Sequence, residues 1–173
     1  MKDIKSEIKE WIQVILIAVV VSMFIRIFLF ETTLVYGKSM SSTLHHRDRV
    51  IINKLVYRFY SPDRGDIVVF KNPDNMKENY VKRVIGIPGD TIEIIDEKLY
   101  VNDKLVEEPY ISEPTIGDFP KVTVPPDTIF VMGDNRNHSQ DSRNPLVGFV
   151  PIDNVIGKAQ LRIWPLEDLT YFK

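Results

Sequence analysis

Cysteine is absent from the chain, which excludes a disulfide framework, a thiolate nucleophile and thiolate-held zinc or iron–sulfur sites. Its absence does not fix the compartment, because a core of ordinary size can stand in an oxidising space without disulfides. Neither charge is in excess: 22 Lys and Arg face 24 Asp and Glu, a formal net charge of −2. Phosphate-binding surfaces need a cationic surplus, so nucleic acid is excluded as the main partner. Histidine is scarce. His45 and His46 are neighbours, which in extended chain point to opposite sides and do not easily share a metal, and His138 stands far downstream. There is no His-x-x-x-His pair, HExxH helix or Gly-x-Ser-x-Gly elbow. A triad through His138 is left open by arithmetic, but solvated loop histidines are the simpler reading. Internal repeats and low-complexity tracts are missing, and no amphipathic helical window follows residue 31.

What is present divides into an apolar front and a globular body. The 173 residues leave room for about one ordinary domain, and 44% hydrophobic with 27% charged residues is a globular balance. From Trp11 to Phe30 only Gln13, Ser22 and Arg26 are polar. Twenty helical residues span roughly 30 Å, the hydrocarbon thickness of a bilayer, and Arg26 can snorkel towards the interface. A buried core helix would show a polar face. A cleaved signal peptide would have a shorter apolar run and a small-x-small site after it. The reading is a transmembrane anchor over 11–30, preceded by a tail over 1–10. Lys2, Lys5 and Lys9 precede the span, whereas Lys38 is the only base in the fifteen residues after it. The positive-inside rule then keeps the N-terminus in the cytoplasm and exports the remainder, with Asp3, Glu7 and Glu10 contributing little.

Residues 31–173 form the body, long enough to bury a core. Runs rich in β-branched residues recur at 50–53, 66–70, 80–87, 91–95, 129–132 and 155–163. Turn chemistry separates them at Ser61-Pro62-Asp63-Arg64-Gly65, Ile87-Pro88-Gly89-Asp90, Pro125-Pro126-Asp127 and Gly133-Asp134-Asn135. The eleven prolines and eight glycines suit the same conclusion. The body is expected to be mainly β, with closely spaced strands folded as a barrel or sandwich.

Without cysteine, a nucleophile must be Ser, Thr, Lys or a carboxylate. Ser39 lies in Gly37-Lys38-Ser39-Met40, shortly after the membrane exit, and Lys82 lies in the otherwise apolar strand Tyr80-Val81-Lys82-Arg83-Val84-Ile85-Gly86. Strand neighbours face opposite ways, so either Lys82 or Arg83 points inward while the other faces solvent. An inward lysine without a carboxylate partner loses its proton more readily, because burial disfavours the ammonium. A neutral lysine can then serve as base for a serine hydroxyl, although a strand lysine is ordinarily just solvated. The polar run Gly133–Arg143 lacks the ligand spacing of an EF-hand. Asn137-His138-Ser139 matches a glycosylation acceptor of low specificity, and Arg64-Gly65-Asp66 reads as a turn entering a strand.

Four blocks in order carry more information than any one of them: GKSMSSTL at 37–44, RGDIVVF at 64–70, YVKRVIGIPGD at 80–90 and GDNRNHSQDSR at 133–143. With the anchor, they make the chain resemble the bacterial type I signal peptidase family over nearly its whole length, in the single-span form of Gram-positive bacteria. The resemblance implies an all-β Ser/Lys protease domain with a variable insert, here within 91–128. It implies that Ser39, before Met40, is the nucleophile and that Lys82 is the general base. Ser139 would orient that lysine, Asp141 and Arg143 would support the site as an ion pair, and Met40 would belong to the supporting set. No metal or cofactor is implied. The partners would be exported preproteins with signal peptides and the bilayer itself, and the oligomeric state is left open.

Two positions depart from the family pattern. Ser42 stands where the family has proline, which would rigidify the turn. Gly37 stands where some members place a hydroxyl that helps bind the oxyanion, leaving backbone N–H groups, including that of Ser39, to do so. Two rivals follow: a catalytically weak or inactive relative that binds signal peptides as a membrane-tethered module, and a self-cleaving Ser/Lys repressor on a membrane leash. The second lacks a DNA-binding helix pair. Intact Ser39, Lys82, Ser139, Asp141 and Arg143 count against the first.

Overall fold

A computed structural model of the protein describes residues 4–172. Helix α1 runs Ile4–Phe28. Its window Glu7–Arg26 has a mean hydropathy of 2.1 and none of it is buried against the rest of the chain. Apolar side chains exposed on every face at this length match a lipid environment. The helix contains most of the expected 11–30 span and ends two residues short of it. It starts inside the expected 1–10 tail, and Phe30 already pairs with Asn53 in the first strand. Apolarity alone does not separate the last turn of an anchor from the first strand residue. Lys2 and the first three residues of the tail lie outside the described residues.

The body is mainly β. Strands β1 (Phe30–Leu34) and β2 (Arg49–Asn53) form an antiparallel pair, and a four-residue turn of helix, α2 (Val56–Phe59), leads to β3 (Ile67–Lys71) and β4 (Asn79–Gly86). A hairpin-rich excursion follows: β5 (Thr91–Ile95), β6 (Lys98–Val101), β7 (Lys104–Leu105) and β8 (Phe119–Thr123). The chain returns through β9 (Thr128–Met132), β10 (Val150–Pro151), the long β11 (Val155–Trp164) and β12 (Thr170–Tyr171). The large sheet has the order β1-β2-β11-β3-β4-β9-β10, with β12 added to β11. The smaller sheet has the order β7-β6-β5-β8 and lies within 91–128.

Period-two burial explains why these segments are strands: Ile92 and Ile94 are buried while Thr91, Glu93 and Ile95 are not. Ile92, Ile94 and Leu99 of the small sheet pack on Ile85, Phe130 and Met132 of the large one, joining the two. Val68, Phe70, Val84, Ile129 and Val131 fill the middle of the large sheet. A third cluster, Val35, Met40, Leu44, Val50, Ile67 and Ala159, lies beneath the turn that carries Ser39.

Candidate active site

The turn after β1 is held from below. Met40 and Leu44 are fully buried, each worth about 1.5–3 kcal/mol of transfer free energy. The Met40 carbonyl accepts the N–H of Thr43 at 2.7 Å and of Leu44 at 2.6 Å, and the Lys38 carbonyl accepts that of Ser41 at 3.1 Å. Gly37 enters the turn at φ +94°, a conformation that disfavours any side chain, although the space beside it is open. Its N–H donates to His46 Nδ1 at 3.3 Å. Ser42 is exposed.

Ser39 is half-buried at the top of this turn, and Lys82 Nζ lies 2.6 Å from its Oγ. Nζ also donates to the Val81 carbonyl at 3.2 Å and lies 5.1 Å from the centre of the Tyr80 ring. Lys82 is 4% exposed. Burial lowers its pKa to about 8, against a smaller opposing pull from the Asp141 and Asp134 carboxylates. Both carboxylates are already taken by guanidinium groups, so neither forms an ion pair with Lys82.

Arg83 departs from expectation. It does not face solvent: its guanidinium forms a two-pronged pair with Asp134, at 2.8 and 2.7 Å, and donates to the Gly65 carbonyl at 2.9 Å. It also lies 4.1 Å from the ring centre of Tyr110. Lys82 and Arg83 do point opposite ways, but the segment between β7 and β8 covers the Arg83 side. Glu108 of the same segment pairs with buried Arg136.

The run 133–143 wraps around the serine turn. Asn135 grips it at three points: its N–H donates to the Ser39 carbonyl at 3.0 Å, and its side-chain amide donates to the Lys38 carbonyl at 3.0 Å and Ser41 Oγ at 2.9 Å. Asp134 accepts Thr43 Oγ1 at 2.5 Å, and its N–H meets Met40 Sδ at 3.4 Å. Sequence reasoning read 133–135 as turn chemistry and missed these roles; the only signal was the Gly-Asp-Asn run itself. A methyl on Gly133 would sit 2.3 Å from Ser139 Oγ and 2.4 Å from the Ser39 carbonyl oxygen, so the close approach requires glycine.

Asp141 and Arg143 form a bidentate pair, with Nε–Oδ1 and Nη2–Oδ2 both at 2.9 Å, and Asp141 also accepts the Gly133 N–H at 3.0 Å. Ser139 Oγ is buried without a hydrogen-bond partner, so it makes no bond to Lys82 here. His138 is exposed and reaches Asn135 Oδ1 at 3.3 Å. Asn137, the acceptor of the glycosylation pattern, donates to the Pro114 carbonyl at 3.1 Å. Among the described residues no cluster of three or more His, Asp or Glu could hold a metal ion.

Ser39 and Lys82 open into a cleft of about 510 Å³. Thr33–Tyr36 form one wall and Glu78–Lys82 the other, over Leu44, Val50, Val69 and Ala159. Strand β9 pairs with β4 only from Arg83 onward, and among the described residues no strand covers that edge at Asn79–Lys82. An open strand edge beside an apolar floor suits an extended peptide.

Fold and site together define a membrane-anchored serine peptidase. The family model "Signal peptidase, peptidase S26" matches residues 8–164. The chain is 43% identical over 175 residues to a signal peptidase I of Bacillus licheniformis, covering 95% of this chain and 93% of that one. It is 42% identical over 176 residues to signal peptidase I S of Bacillus subtilis strain 168, covering 95% and 94%. A crystal structure of a signal peptidase I from Enterococcus faecalis V583 superposes with a TM-score of 0.52 at 36% identity, over 57% of this chain and 97% of the other. The chain belongs to the signal peptidase family S26 and is a serine endopeptidase.

Proposed function

We propose that the protein removes N-terminal signal peptides from exported preproteins, with Ser39 as nucleophile and Lys82 as general base. The observation that carries this reading is the 2.6 Å contact between a serine hydroxyl and a buried lysine, whose pKa burial lowers to about 8. Neutral Lys82 takes the Ser39 proton as Oγ attacks the peptide carbonyl carbon after the signal peptide. When the C–N bond breaks, the Lys82 ammonium returns that proton to the departing amine of the mature chain. The ester on Ser39 is then attacked by water, which Lys82 deprotonates, and Oγ recovers its proton as it leaves. The Ser39 N–H, which no hydrogen bond among the described residues uses, stabilises the oxyanion.

The substrate lies extended along the free edge of β4 opposite Thr33–Tyr36, its main chain adding to the sheet. Shallow apolar pockets on the cleft floor favour small side chains at the first and third positions before the cut. Asp141 and Arg143 hold Gly133, and through it the serine turn, while Ser139 orients Lys82 in the working state. The anchor places residues 31–173 outside the cytoplasmic face, so enzyme and signal peptide meet in one bilayer, which supplies proximity. The whole chain in detergent, given a model preprotein, is expected to yield one mature product by mass and N-terminal sequence. Cleavage by Ser39→Ala at the wild-type rate would refute the assignment.

A further inference from the structure

We propose that Glu108, in the segment 106–118 between β7 and β8, is a positioning residue of the peptidase: through Arg136 it holds the loop that sets Ser39 against Lys82. This role deepens the proposed function and rests on Ser39 being its nucleophile. The segment has no strand or helix of its own, and Glu107, Pro109 and residues 112–114 and 116–118 are exposed. Its buried groups turn to one place. Arg136, whose side chain is fully buried, meets Glu108 through both terminal nitrogens of its guanidinium, with Nη1–Oε2 at 2.8 Å. Nη1 also donates to buried Thr115 Oγ1 at 3.3 Å, and the Tyr110 hydroxyl donates to Glu108 Oε1 at 3.0 Å. The next residue is tied as well, for the Asn137 side chain accepts the Ile116 N–H at 2.9 Å. A guanidinium keeps its charge at any working pH, so one this deeply buried needs a carboxylate. Glu108 is the one Arg136 meets among the described residues.

Arg136 passes this hold on to the nucleophile. Its Nε donates to the Gly133 carbonyl at 3.1 Å, and its own carbonyl accepts Arg143 Nη2 at 2.6 Å. Between Gly133 and Arg136 lie Asp134, paired with Arg83, and Asn135, bonded to the Ser39 carbonyl. Arg136 also lines one cavity, of about 670 Å³, with Asp141 and Arg143. Without Glu108 its cation would compete for Asp141, the carboxylate that accepts the Gly133 N–H and whose field reaches Lys82. The carboxylate at 108 keeps Arg136 off that pair and the loop in register with the serine turn. No residue of 106–118 lines the cleft beside Ser39, so the effect falls on the chemical step and not on substrate binding.

The test is steady-state cleavage of a model preprotein by the full-length chain in detergent, with kcat and KM separated and thermal unfolding measured on the same preparations. Glu108→Gln keeps the shape of the side chain and leaves Arg136 without its counter-charge. It should lose about 10- to 100-fold in kcat at unchanged KM, and Glu108→Asp, which restores the charge, should recover part of the loss. Leu99→Ala is the control: it opens the packing of the small sheet, where Leu99 is buried, and removes no contact of Arg136. It should unfold at a lower temperature and keep the wild-type kcat below that temperature. Wild-type kcat in Glu108→Gln, or a loss confined to KM, would overturn the proposal. So would an equal loss of kcat in Leu99→Ala, which would reduce the effect to stability. Where Glu108→Gln does not fold, Tyr110→Phe removes only the hydroxyl bond to Glu108; a smaller fall in kcat at unchanged KM supports the role and wild-type kcat overturns it. Cleavage by Ser39→Ala at the wild-type rate is a separate result, which would refute the nucleophile and the positioning role with it.

Discussion

Asn135 and Ser39 are joined backbone to backbone, N–H to carbonyl at 3.0 Å, across 96 positions of sequence. The same asparagine holds Lys38 and Ser41 of the serine turn through its side chain. The position of the Ser39 hydroxyl against Lys82 is therefore set by a distant loop and not by the serine turn alone. Asn135→Ala removes the two side-chain bonds and leaves the backbone one. Each is worth about 0.5–1.5 kcal/mol, so stability should fall by roughly 1–3 kcal/mol in thermal unfolding. Turnover should fall by about 10- to 100-fold, because small misplacements at a reacting atom are costly. Wild-type turnover in a preprotein assay would contradict the clamp.

Gly133→Ala tests the same packing from the other side. The added methyl would meet Ser139 Oγ at 2.3 Å and the Ser39 carbonyl oxygen at 2.4 Å, and the second contact is with backbone that cannot swing away. Overpacking of this kind costs about 1–3 kcal/mol of stability. The expected loss of turnover is larger, on the order of 10²-fold or more. Activity and unfolding measured on one preparation distinguish a displaced serine from general unfolding.

Ser139→Ala removes a buried hydroxyl that has no partner. Leaving such a group unsatisfied costs about 1–3 kcal/mol, so the variant should unfold at the wild-type temperature or higher. If the hydroxyl serves Lys82 in the working state, turnover drops nonetheless. A stable variant with full turnover would show that Ser139 has no part in the reaction.

Lys82 should itself be a burden on stability. Its pKa falls from an ordinary 10.5 to about 8 in the folded chain. Below pH 8 the group is charged in both states, and the folded state bears the full desolvation penalty, about 3 kcal/mol at 1.36 kcal/mol per unit. Between 8 and 10.5 the folded state holds fewer protons than the unfolded one, so stability rises with pH. Above 10.5 the penalty is gone. Lys82→Met should therefore stabilise the chain below pH 8, with a gain that fades by about pH 10.5. Thermal unfolding in detergent across that range checks both sign and window.

Much of this architecture is legible in the residues, and the gaps have physical causes. The β-branched runs locate β2, β3, β4, β5, β9 and β11 to within a residue or two. Strands β6 and β7 escape because their turns use Asp96-Glu97 and Asn102-Asp103 at positive φ, without the glycine that usually marks such hairpins. In β8, Pro120 and Lys121 break the pattern, as befits an edge strand. The Ser39–Lys82 pair could be suspected from strand alternation and was singled out by the ordered blocks. The roles of Arg83, Asp134 and Asn135 could not. They depend on which distant loop closes over which strand, and no local pattern encodes that contact.

The central claim is that a buried, readily neutralised Lys82 activates Ser39. Its most direct test is the pH dependence of kcat/KM for preprotein cleavage by the whole chain in detergent, with Lys82→Ala beside wild type. The account predicts that wild-type activity rises through a single acid limb near 8, and that Lys82→Ala loses about 10³-fold or more at every pH. A limb near 6.5, the ordinary histidine value, or a Lys82→Ala variant with the wild-type profile, would contradict it.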